Sequence, residues 1–200
     1  MKILGIEGIS PRKFVKTTIL NRDLANSPNL IKDEGLSSFE PNRIWVSDIT
    51  FIPTAQGWLY LCIVLDLHSR KIVGWSMRED MKADIILEAT RMALKARRPV
   101  SSLVFHSDCG GQYKAKKFRN LLRRYNIRQS MTFAGNCYDN ATAESFFGTL
   151  KSELVYRTKF DTREAARAAI FEYIEAFYNR VRMHSSLGYL SPMQYEQNVA

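Results

Sequence analysis

Arg43-Ile-Trp-Val-Ser-Asp-Ile-Thr-Phe-Ile52 decides the fold of this 200-residue chain. The run is apolar and β-branched, the composition of a strand buried in a sheet, yet it carries Asp48 in its middle. Charged residues in such a context rarely go unpaired, because an isolated buried carboxylate is very costly. Downstream, Gly57–Asp66 and Lys71–Met77 read as two further strands. The short link Leu67-His-Ser-Arg70 between them suits an antiparallel hairpin. Lys82 to Arg97 places Ile85, Ile86, Ala89, Met92 and Ala93 at helical spacing. Three antiparallel strands followed by alternating helices and strands predict an α/β fold, a mixed sheet flanked by helices.

Two more acids stand out further along. Ser102-Leu-Val-Phe-His-Ser-Asp108 reads as a short strand, and Gly110-Gly111 lets the backbone turn sharply after it. Glu144 falls in the first turns of a helix that begins near Asp139-Asn140, both good N-cap residues. Thirty-five residues lie between Asp108 and Glu144. Two strand-borne acids and one helix-borne acid suit one or two hard divalent cations, which favour oxygen ligands; Mg²⁺ also leaves positions for substrate phosphates. Asp66, at a strand end beside the hairpin, reads as a turn-fixing residue instead. Glu153 reads as a surface or ion-pairing acid, and Gly135 to Asn140 as a loop over the site.

The remaining chain is predicted in outline. A short strand lies near Ile127–Thr132. Asp161-Thr-Arg-Glu164 has capping-box spacing with Asp as the cap, and opens a helix to about Arg180 with a stripe of Ala166, Ile170, Ile174, Phe177 and Val181. Trp45, Trp75 and Cys62 belong with the core. Residues 1–39 mix Gly, Ser, Pro and basic residues with little periodicity, and Asn26-Ser-Pro-Asn29 reads as a turn. They are expected to form an arm or linker ahead of a catalytic core at 40–200.

Charge narrows the partner. Lys and Arg number 29 against 20 acids, a net charge of +9 that favours a polyanion. Tyr113 to Arg128 holds Lys114, Lys116, Lys117, Arg119, Arg123, Arg124 and Arg128 without an acid. Phe118, Leu121, Leu122 and Tyr125 give the same stretch one buried face, so it reads as a helix whose basic side either meets phosphate or is simply solvated. Three cysteines without a CxxC pair argue against a disulfide framework, and three scattered histidines against a zinc site. No signal peptide and no run of membrane-spanning length is seen, so a cytoplasmic protein with no membrane partner is expected.

Four motifs carry a resemblance: Asn42-Arg-Ile-Trp-Val-Ser-Asp-Ile-Thr50, His106-Ser-Asp-Cys-Gly-Gly-Gln-Tyr113, the stretch from Gly135 to Glu153, and Tyr178-Asn-Arg-Val-Arg-Met-His-Ser-Ser-Leu-Gly-Tyr-Leu-Ser-Pro192. In this order and with this acid spacing, the chain resembles the catalytic half of OrfB-type transposases of the IS-three family, members of the DDE superfamily that share a core with retroviral integrases. The resemblance implies a ribonuclease-H-like five-stranded sheet, three antiparallel strands and then two parallel. It implies metal-dependent DNA cleavage and strand transfer, with Asp48, Asp108 and Glu144 holding two Mg²⁺ ions, for which Mn²⁺ substitutes. Lys151, two helical turns beyond Glu144, would grip DNA, as would Lys114, Lys116, Lys117, Arg119, Arg123, Arg180 and Arg182. His106, Asp139 and Asn140 would support the site from behind, although for His106 a simple packing role is open.

Implied partners are transposon ends, target DNA, further copies of the chain, and an upstream-frame helix-turn-helix protein, in the nucleoid of a bacterial cytoplasm. A helical recognition region usually precedes the arm in this family, so the chain is expected to begin midway through a longer protein. Two other functions stay open: a ribonuclease-H-type nuclease acting on RNA–DNA hybrids, or an inactive piece that only binds DNA or a partner.

Overall fold

The computed structural model describes residues 26–34, 40–99, 102–132 and 141–199. Its centre is β1 (Ile44–Thr54), covered on both faces, which is why the run is apolar nearly throughout instead of alternating. Ile44, Val46 and Ile52 join one core with Phe146, Phe147, Leu150, Ile170 and Ile174. Trp45 joins the other, with Ile85, Phe105, Phe118 and Leu122.

β2 (Gly57–Asp66) runs antiparallel to β1 with Asp48 opposite Ile63, and β3 (Ile72–Arg78) antiparallel to β2. β4 (Val104–Ser107) is parallel to β1, pairing Ser107 with Ser47, and β5 (Arg128–Met131) is parallel to β4. The order is β3-β2-β1-β4-β5, the mixed five-stranded sheet the sequence predicts. Asp48 and the end of β4 are therefore neighbours across one parallel pair.

Helices cover both faces. α1 (Leu30–Asp33) precedes the sheet and α2 (Asp84–Arg97) lies on the Trp45 side. Gly74 of β3 is what lets α2 approach, because a Cβ there would stand 2.2 Å from the Ala89 carbonyl oxygen. α3 (Gly111–Lys114) and α4 (Lys116–Arg124) follow β4; α5 (Ala141–Leu150) and α6 (Arg163–Glu172) cover the other face, and α7 (Pro192–Val199) ends the chain.

Three expectations need correction. The basic stretch is not one helix: Ala115 is extended (φ −57°, ψ 135°), splitting α3 from α4, and the chain leaves α4 at Arg124. Tyr125 is consequently half exposed instead of part of the buried face. The long C-terminal helix is capped by Thr162, whose hydroxyl accepts the Ala165 N–H at 3.0 Å, not by Asp161. It also changes register: after Glu172, residues Tyr173–Tyr178 form a π-helical turn, and a second π turn, Lys151–Val155, continues α5. The wider turn rotates the apolar stripe by one residue, burying Tyr178 and leaving Phe177 and Val181 exposed.

Of the segment read as an arm, residues 26–34 lie along β5. The Met131 N–H donates to the Pro28 carbonyl (3.1 Å) and the Leu30 N–H to Ser130 Oγ (3.0 Å).

Candidate active site

Asp48 lies at the middle of β1, paired with Ile63 of β2 and one residue past the last β4 pair, Ser47 with Ser107, so its position is set by the sheet. Its Oδ1 accepts the Ile49 N–H at 2.7 Å. Ser47, pointing the other way, meets Ile63 O at 2.7 Å and Tyr113 Oη at 3.0 Å, a buried polar floor beneath the strand. Asp108 sits one residue past β4, where its Oδ1 accepts the Gly110 N–H at 3.0 Å. Asp48 and Asp108 line one small cleft of about 40 Å³ with Thr50, Tyr60, Met81, Gln112 and Tyr113. Glu144 is exposed in the first turn of α5, a helix packed on β1, outside that lining.

Electrostatics ties the three together. The Asp48 carboxyl is pushed up to about 7, first by burial, then by the negative charge of Asp108; Glu144 adds to the rise, while the Ile49 amide and Lys151 oppose it. Asp108 is raised as well, by burial, against the pull of the Gly110 amide and the Lys114 charge. A strand acid, a strand-end acid and a helix acid thus act on one point.

Among the described residues, no three Asp, Glu, His or Cys side chains are drawn into a ready-made metal cage. The donor set nevertheless fits a divalent cation. Asp48 and Asp108 each give one oxygen to a backbone amide, and their crowded charge lacks a full counter-charge.

The other predicted residues divide. Lys151 is buried, its Nζ 4.9 Å from the centre of the Phe51 ring, and its charge favours ionised Asp48. Lys114 is only 2 % exposed and acts on Asp108, so it belongs beneath the site and not on a DNA-facing surface. Lys116, Lys117 and Arg123 are exposed on α4 and Arg119 is partly so. Arg180 is exposed, but Arg182 is committed to Glu153 through bonds of 2.8 to 3.1 Å, the ion-pairing role expected of that acid.

His106 is fully buried, with Nδ1 2.8 Å from Ser130 Oγ and Nε2 2.6 Å from Thr132 Oγ1, so it fastens β4 to the β5 end and is a packed histidine. Asp66 accepts the Asn42 and His68 amides at 2.8 and 3.0 Å, fixing the hairpin turn. Asp139, Asn140 and the loop from Gly135 lie outside the described residues. Reading by sequence missed Ser47, Tyr113 and Gln112 as site walls. Tyr113 closes one of the quoted motifs, but nothing in its spacing says that it reaches under Asp48.

Residues 39–137 and 144–199 each match a model described as an integrase core domain. The chain is 43 % identical over 201 residues to the transposase InsF for insertion sequence IS3fB of Escherichia coli, covering 100 % of this chain and 69 % of that protein. It is 42 % identical over 186 residues to an uncharacterized 31 kDa protein of insertion element IS600 from Shigella sonnei, covering 93 % and 68 %.

Among solved structures it resembles a chain of the simian T-cell lymphotropic virus intasome, with a TM-score of 0.66 at 16 % identity over 89 % of this chain and 60 % of that one. The HTLV-2 integrase catalytic core domain in complex with magnesium gives 0.57 at 16 % identity, over 78 % and 96 %. These two establish the fold, and the chain spans about two thirds of its curated relatives' length.

Proposed function

The chain belongs to the integrase-core family of insertion-sequence transposases, and from that membership we propose that Asp48, Asp108 and Glu144 catalyse DNA cleavage and strand transfer in transposition. The observation that carries the assignment to these residues is the single cleft that Asp48 and Asp108 line, where burial and the charges of Asp108 and Glu144 push the Asp48 carboxyl up to about 7. Carboxylates are brought together against their own repulsion where something else is meant to balance them.

Both reaction steps are in-line displacements at phosphorus: water frees a 3′-hydroxyl at the element end, and that hydroxyl attacks a target phosphodiester. Two divalent ions, Mg²⁺ or Mn²⁺, would be held by the three acids and supply neutralisation of the developing charge. Asp48 lies on β1, which adjoins β4 and packs against α5, so it would share in holding the ions with each of the other two acids. Lys151 and Lys114 oppose the rise at Asp48 and Asp108 and so favour their ionised forms, and the Ile49 and Gly110 amides fix one oxygen of each. The exposed bases of α4, which follows Asp108, hold the DNA backbone.

DNA ends and target DNA are the substrates, and the chain works as an oligomer on them; a retroviral core relative in trimeric form supports assembly of this fold. A helix-turn-helix partner from an upstream frame would supply end recognition, and the bacterial nucleoid would be the site of action. No described helix is long and apolar enough to cross a membrane.

The test offers pre-cut element-end DNA, target DNA and Mg²⁺ or Mn²⁺ to the purified chain, beside an Asp108→Asn variant. Joined product lost in the variant supports the proposal. Cleavage of RNA–DNA hybrids without joining points to a ribonuclease-H-type nuclease. DNA binding with no product of either kind points to an inactive binding module.

A further inference from the structure

A polar cavity lies apart from the acid cleft. A space of about 370 Å³ opens on the other flank of α5, between Thr142, Ser145 and Thr149 on one side and the segment 182–189 on the other, with Arg70 reaching in from the β2–β3 turn. Two groups on its wall stand out, a buried imidazole nitrogen and a partly exposed guanidinium. His184 is 8 % exposed and its Nε2, buried, makes no hydrogen bond. Arg70 has no carboxylate partner among the described residues, although its charge is felt at both Tyr178 and His184. Buried polar atoms are satisfied in folded proteins with few exceptions, and an exception in a cavity wall points to a ligand.

His184 is also firmly placed. Its backbone N–H donates to Leu190 O at 3.1 Å, and its ring stands edge-on to Tyr178 with centroids 4.9 Å apart. Arg182 is neutralised by Glu153 and serves as a wall. The cavity is therefore lined by one uncompensated guanidinium, one unpartnered imidazole and a row of hydroxyls. That is the chemistry of a tetrahedral oxyanion.

We infer that this cavity seats a backbone phosphate of bound DNA, with Arg70 and His184 as its direct ligands. The inference rests on DNA being the substrate. Ser145 adjoins Glu144 in sequence, so a phosphate held here fixes the duplex against the helix that carries the third acid. Burial, and then the charges of Arg182 and Arg70, hold the His184 pKa down to about 4, so its ring is neutral at pH 7 and donates one N–H. Glu153 is the carboxylate that opposes them, and it is already paired.

Imidazole-resolved NMR on the full chain, which has only His68, His106 and His184, tests the seat with inorganic phosphate as the probe. The His184 Nε2 signal should move saturably while those of His68 and His106 stay, and Arg70→Gln should weaken that response at least tenfold. In parallel, fluorescence anisotropy with a duplex oligonucleotide should show Arg70→Gln binding about tenfold more weakly, with a log–log salt slope shallower by about one.

An equal His184 response in the variant, or none in either protein, overturns the site. Phosphate binding that leaves duplex affinity and salt slope untouched overturns DNA as the occupant and makes this a free-anion site. The catalytic proposal fails separately: an Asp108→Asn chain that still joins DNA would sink it, while the His184 response stood.

Discussion

The Lys151 ammonium lies 4.9 Å from the centre of the Phe51 ring and near enough to Asp48 to favour its ionised form. Burial drives the Lys151 pKa down and Asp48 draws it back up, so each group partly pays for the other. Asp48 and Phe51 both belong to β1, and Lys151 opens the π turn that ends α5. One strand thus presents the central acid and the aromatic platform for its counter-charge. Seven residues from Glu144 predict a shared side of the helix, but Glu144 is exposed whereas Lys151 is buried. The lysine acts inward, on the acids.

Lys151→Met keeps a flexible apolar stem over Phe51 and removes the charge. Strand transfer should fall about a hundredfold, the scale for losing one preorganised charge in a site, with the melting temperature shifted by only a few degrees. Joining assays on the variant at saturating Mg²⁺ measure this. A wild-type rate would mean that the lysine is structural only.

Asp48→Asn should stabilise the metal-free protein. The carboxyl is strained by burial and by Asp108, while the amide retains an oxygen for the Ile49 N–H. Melting at pH 8 with chelator should rise by a few degrees, since about 1 kcal/mol moves a domain of this size roughly 2–4 °C. Asp66→Asn is the contrast: that carboxylate accepts two backbone amides, at 2.8 and 3.0 Å on different oxygens, and an amide can accept only one of them. It should melt lower. A fall for Asp48→Asn of the same size would remove the crowding argument.

How much of this could be read beforehand depends on how local the determinant is. Gly57–Asp66 forms as predicted, to the residue, because composition and flanking turns fix a central strand. Asp66, Glu153 and Cys62 also take the structural roles expected of them. Each of the three acids has its own recognisable sequence context, and their convergence was expected; the size of the field at Asp48 depends on which strands pair. Ala115 breaks a basic helix without Gly or Pro to announce it. Lys114 reads as surface charge, yet it is packed beneath Asp108 because α3 is a separate short helix. The cavity around His184 draws on segments more than a hundred residues apart, which no periodicity reveals.

Helix α7 should loosen in acid. Burial alone would raise the Glu196 pKa, but bonds from Arg97, Lys71 (2.9 Å) and Ser69 (2.7 Å) outweigh it and hold the carboxyl below its ordinary 4.5. A depressed carboxylate stabilises the fold above its unfolded pKa, and that contribution is lost as pH falls through the folded value. Hydrogen-exchange protection of α7 amides, corrected for intrinsic rates, should therefore stay level from pH 7 to about 5 and drop below 4.5. In Glu196→Gln it should be low throughout, with no step. A step that survives in the variant would assign the effect to another group.

The π turn makes the sharpest claim about packing. An uninterrupted α-helix from Arg163 would bury Phe177, whereas the observed register turns Tyr178 inward, 3 % exposed and edge-on to Phe146 at 4.7 Å between centroids, and leaves Phe177 at 40 %. Truncating a buried aromatic leaves a cavity in a close-packed core, about 3–5 kcal/mol, while a largely exposed one costs little beyond its lost surface contact. Tyr178→Ala should therefore destabilise by about 3 kcal/mol or more and Phe177→Ala by less than about 1 kcal/mol in denaturant unfolding. The reverse order would restore the α-helical stripe of Ile170, Ile174 and Phe177. It would also remove the aromatic wall on which His184 rests, and with it the geometry of the phosphate seat.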